Sequence, residues 1–134
     1  MVTHGMITGN TLRRVRRASL ALATSIAIAG CGDDGAASPA DARACLEDQH
    51  LRVGGGPRAH DDTDAPDTEL IVGGRESSAL LAFYDDEARA ERMEPAFEAL
   101  ATQPGAVERH GKVTIFWVRG KGSGEAGRIT ACVS

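Results

Sequence analysis

The chain has 134 residues, 42% of them hydrophobic and only 4% aromatic, with fifteen basic and nineteen acidic side chains. The first thirty residues hold four of the bases and no acid, so the remainder carries eleven bases against nineteen acids, a net charge of −8. That balance excludes nucleic acid as a partner, because phosphate backbones need a basic surface, and it opposes lying flat on an anionic bilayer.

Met1 to Arg17 contains Arg13, Arg14, Arg16 and Arg17, and an uncharged run from Ala18 to Gly30 follows it. A basic segment ahead of an apolar run reads as an export signal, and this run is shorter than the roughly 20 apolar residues that span a bilayer. The run closes on Ile28-Ala29-Gly30-Cys31. This resembles the lipobox of bacterial lipoproteins, in which small residues let an extended backbone enter a peptidase cleft. The resemblance covers about the first 31 residues. It implies cleavage before Cys31, a diacylglyceryl chain on its thiol, and a place in the cell membrane facing the extracytoplasmic side, with an envelope protein as candidate partner. The competing reading is an ordinary secretory signal or a buried apolar helix with a chance cysteine. A twin-arginine export signal fits less well, since Val15 and Arg16 occupy the places of its usual apolar pair.

With Cys31 acylated, Cys45 and Cys132 are left, and outside the cytoplasm two cysteines allow one bridge. The alternative is two buried free thiols. Neither lies in a CxxC pair, so no thioredoxin-like redox role is supported.

Residues 31–38, small and polar, read as a tether, and residues 39–134 as one domain with a modest core. Ser38-Pro39 opens a helix over ADARACLEDQHL, with Ser38 as cap and Ala42, Cys45, Leu46 and Gln49 on one face. Leu51–Val53 reads as a short strand ended by Gly54-Gly55-Gly56-Pro57, and an acidic loop covers residues 57–68. Glu69–Val72 and Ala79–Tyr84 read as strands separated by Gly73-Gly74, the second apolar on both faces as a central strand is. Asp85-Asp86-Glu87 starts a helix whose apolar face holds Met93, Phe97 and Leu100. Pro95 predicts a kink, or two short helices meeting there. A hairpin follows, VER and KVTIFWV around a His110-Gly111 turn, with Val113, Ile115 and Trp117 on one side and Phe116 and Val118 on the other. Gly120–Gly124 leads into a short closing element that carries Cys132. This order predicts an α+β fold, a small, mostly antiparallel sheet with helices packed on one face, loosely similar to ferredoxin-like folds.

The chemistry-bearing groups are sparse. His60, Asp61, Asp62, Asp64 and Asp67 offer an imidazole and carboxylates to a divalent cation, yet lack the glycine and distal glutamate of a calcium loop; the same residues also suit a solvated acidic loop. GKGSG does not match a Walker loop. Ser77, Ser78 and Ser123, with His60 or His110 as base, sit in no GxSxG, and His110 at a turn tip is expected to be exposed. The expectation is a lipid-anchored, non-catalytic binding or interaction module without a cofactor, with cation or small-solute binding through residues 60–67 as the alternative.

Overall fold

Ser38 starts the first helix in the way its sequence predicts. In the computed structural model, which describes residues 36–59 and 63–134, its Oγ accepts a hydrogen bond from the Asp41 amide and donates to the Asp41 carboxylate at 2.6 Å. Pro39 begins α1, Pro39–Asp48, where its missing N–H costs nothing. The leader, Cys31 and residues 32–35 lie outside the described residues. Ala36 and Ala37, assigned from sequence to the tether, pack against the core.

The described residues build five strands: β1 (Arg52–Pro57), β2 (Thr68–Gly73), β3 (Ser78–Phe83), β4 (Val107–His110) and β5 (Val113–Arg119). Every neighbouring pair is antiparallel, and the spatial order is β1-β2-β3-β5-β4. With α2 (Glu87–Leu100) and α3 (Gly124–Ala131), the α+β class read from the sequence is the class observed. β3 and β4 run parallel with β5 between them, so β3, α2 and the β4–β5 hairpin form a split βαβ unit, the ferredoxin-like element of the sequence reading. The place beside β3 that a later strand would fill is taken by β2, which precedes it.

Alternation along the central strands sorts their side chains onto two faces. Leu70 and Val72 of β2, Leu81 of β3, and Val113, Ile115 and Trp117 of β5 join Ala42 and Leu46 of α1 and Ala126 and Ile129 of α3 in the main core. On the opposite face, Ala82 and Tyr84 pack with Ala90, Met93 and Phe97 of α2, and the Phe97 ring lies 5.9 Å from that of Phe116. The expected arrangement of helices on one face thus describes α1 and α3, and α2 covers the other. Both faces of β3 and β5 are apolar, so two layers of helix are needed to bury them. Leu100, expected on the buried side of α2, is the last residue of that helix and is 70% exposed.

Three further expectations change. β1 does not stop at its glycines: Gly54, Gly55 and Gly56 pair with Ile71, Leu70 and Glu69, the partner strand overriding their poor strand propensity. The hairpin turn is Gly111-Lys112, one residue later than read, because His110 pairs with Val113 and Gly111 takes the positive φ of 57° that the turn requires. Of the two outcomes expected at Pro95, two short helices do not form: α2 runs as one helix through it, and both Pro95 and Glu91, whose carbonyl loses its donor, are exposed to water.

β1 is an edge strand. The Arg43 guanidinium donates to the Val53 carbonyl at 3.3 Å and the Gly55 carbonyl at 2.7 Å, and Pro57, in the same alternation, has no N–H to offer. The edge is thereby blunted against pairing with another chain.

Candidate functional site

α1 ends by a chain reversal whose hydrogen bonds are those of a Schellman motif. The Leu51 amide reaches the Leu46 carbonyl at 3.1 Å and the His50 amide the Glu47 carbonyl at 2.9 Å, while Leu46 and Leu51 are both buried. The left-handed position of this motif usually holds glycine; here it holds His50 at φ 59°. His50→Gly is therefore expected to stabilise the fold by about 0.5–1 kcal/mol, read as a higher midpoint in urea denaturation; an unchanged or lower midpoint would show that His50 is held there without strain.

Beside this reversal lies the β2–β3 turn, Gly74 to Ser77, and above the turn the start of α3. Ser123 caps α3, its Oγ accepting from the Ala126 amide. The cap aims Glu125 back at the turn. One Glu125 carboxylate oxygen accepts from the Ser77 amide at 3.2 Å and the Ser77 hydroxyl at 2.9 Å; the other accepts from the amides of Arg75 at 3.2 Å and Glu76 at 3.4 Å. Glu125 is 6% exposed and Ser77 fully buried. Burial pushes the Glu125 carboxyl up, but the Ser77 hydroxyl and the three amides together outweigh it and hold the group below the ordinary glutamate range. A Cβ on Gly74 would collide with this carboxylate, so any larger residue there would displace Glu125 from the turn.

Between the end of α1, the turn and α3 opens a cleft of about 850 Å³, lined by Asp48, His50, Arg52, Gly74, Arg75, Glu125 and Arg128 among others. Leu51 is its one large apolar lining residue. The Sγ atoms of Cys45 and Cys132 are bonded at 1.93 Å, with Cα atoms 5.6 Å apart. Cys45 lies three residues before Asp48 and Cys132 four after Arg128, so the bridge ties together two walls of the cleft.

The residues singled out from sequence are scattered. His60, Asp61 and Asp62 lie outside the described residues. Asp67 forms an ion pair with Arg89 at 3.3 Å; Arg89 also meets Asp85 at 2.5 Å and the Ala65 carbonyl at 2.6 Å. Asp67 is thus held to α2, a structural role that the acidic-loop reading did not contain, and Asp64 is exposed in the same loop. Among the described residues no three His, Cys, Asp or Glu side chains gather as metal ligands. Asp86 caps α2 by accepting from the Arg89 amide. Ser77 is spent on Glu125, and Ser123 on its cap. His110 is half-buried instead of exposed, because it belongs to β4, where it sits 3.6 Å from Glu108 and 3.4 Å from the Ser134 hydroxyl. Trp117 is core, at 5% exposure.

Sequence reasoning passed over Arg52, Arg75, Arg128 and Glu125. Glu125 had a faint signal, an acid two residues after a capping serine; the arginines had none. Comparison with protein-family models, with characterised proteins and with solved structures finds no match. Among the described residues no helix is long and apolar enough to cross a membrane.

Proposed function

We propose that this chain is an extracytoplasmic lipoprotein, anchored through Cys31, whose folded body binds a ligand or an envelope partner and does not catalyse. The observation that carries it is the leader: four arginines, an uncharged run, and Ile28-Ala29-Gly30-Cys31 at its end. The Cys45–Cys132 bond supports the reading, since bridges persist in oxidising compartments. Two of the three serines that the sequence offers as nucleophiles support its second half: Ser77 and Ser123 spend their hydroxyls on the turn and the α3 cap.

The test is fractionation of cells making the full chain, with a labelled fatty acid in the medium. The wild-type chain is expected in the membrane fraction and labelled; Cys31→Ser is expected to lose the label and leave that fraction. Mass spectrometry finding residue 31 unmodified, or still preceded by its leader, would overturn the proposal.

A further inference from the structure

Charge is distributed unevenly over this acidic chain. Of the eleven basic residues from Cys31 onward, Arg43, Arg58, Arg89, Arg109 and Lys121 form ion pairs with acids. Among the described residues Arg52, Arg75, Arg92, Lys112, Arg119 and Arg128 form none. Three of these six, Arg52, Arg75 and Arg128, line one cleft. A fourth, Arg119, sits on its rim, donating to the carbonyls of Gly74 and Arg75. Gathering unpaired cations while acids are in surplus costs repulsion, unless an anion is bound among them.

The acids of the cleft do not answer these arginines. Both oxygens of Glu125 are occupied by the turn, and Asp48 forms no ion pair with Arg52, Arg75 or Arg128. The cleft and rim therefore hold four arginines against two carboxylates; the rest of the chain from Cys31 on holds seven bases against seventeen acids. His50, kept in a left-handed conformation uncommon outside glycine, adds a further nitrogen donor to the lining.

We infer that this cleft is a binding site for a small molecule bearing a phosphate or pyrophosphate group. Guanidinium forks match the planar spacing of phosphate oxygens and hold them by paired N–H donors. The volume is that of a small-ligand site, and Leu51 is the one large apolar side chain that lines it, so the phosphate group is what the lining is built to hold. The inference names the ligand class of the binding module proposed above, and it does not need the anchor.

The probe is inorganic pyrophosphate, titrated by calorimetry into the full chain held in non-ionic detergent. Saturable one-to-one binding that weakens with added salt is expected. Arg75→Gln and Arg128→Gln are each expected to weaken it about tenfold or more, the loss that results when a charge-assisted hydrogen bond is removed. Arg92→Gln, an exposed and equally unpaired arginine on α2, is the control and should change affinity less than about twofold. Glycerol phosphate and a soluble short-chain phosphatidic acid distinguish two sources of the same group: equal affinities support a free phosphate ester, tighter binding of the acylated probe a lipid headgroup. No saturable heat at millimolar pyrophosphate, or an Arg92→Gln loss as large as that of the cleft variants, would overturn the assignment. If that happens while Cys31→Ser still frees the chain from membranes, the ligand is removed and the anchor stands.

Discussion

Reducing the Cys45–Cys132 bridge, or replacing both cysteines by alanine, is expected to lower the thermal midpoint by about 20–30 °C. The bond joins residues 87 apart and closes nearly the whole described body into one loop. In the chain-entropy account a loop of that length restricts the unfolded ensemble by about 4–5 kcal/mol, comparable with the whole stability of a small domain. The bridge adds to non-covalent ties at both ends: α1 reaches the sheet mainly through Ala42 and Leu46, and the C-terminal end through Ala126, Ile129, Val133 and the Glu125 hydrogen bonds to the β2–β3 turn. Calorimetry with and without reductant checks the effect. A fall of less than about 5 °C would mean that the unfolded chain is already compact and the bridge redundant. Since the same bond ties two walls of the arginine cleft, pyrophosphate affinity should fall on reduction at temperatures where the far-ultraviolet spectrum is still native.

The second large effect is at Glu125. Glu125→Gln replaces one acceptor oxygen by an amide donor facing other donors, and Glu125→Ala leaves the Ser77 hydroxyl and the amides of Arg75, Glu76 and Ser77 without their acceptor. Buried donors stripped of a charged acceptor are costly, so each variant is expected to lower the thermal midpoint by about 10 °C or more. The pH dependence has a definite sign. The carboxyl is held below its ordinary value of 4.5, so the unfolded chain binds the proton more readily than the folded one. The stabilisation is complete above that value and is lost as pH falls through the depressed folded pKa. The midpoint difference between wild type and Glu125→Gln should stay constant from neutral pH to about 5 and shrink at lower pH. A difference unchanged to about pH 2 would show that Glu125 is not the ionised clamp described.

Much of the local structure was legible because it depends on near neighbours. Ser38-Pro39 announces a helix start, Asp85-Asp86 another, and the alternation Val113, Ile115, Trp117 a strand with one buried face. Local signals misplaced the features that a partner strand decides. Three glycines read as a stop, but β2 supplies the ladder that carries β1 through them, and the His110 to Val113 pairing moves the turn by one residue. The candidate site was not legible at all. Arg52, Arg75, Arg128 and Glu125 come from an edge strand, a turn and the two ends of a short helix, and each by itself reads as a solvated surface charge.

From the residues alone came the acidic balance of residues 31–134, the α+β class and the caps of α1 and α2. All of these depend on periodicity, side-chain chemistry and charge count, which need no knowledge of residues far along the chain. Tertiary structure alone decided that α2 lies across the sheet from α1 and α3, that Asp67 is held by Arg89, and that Glu125 closes a turn about fifty residues away. The reason is that a hydrogen bond or a cluster of charges is fixed by distance in space, and between residues so far apart only the completed sheet sets that distance.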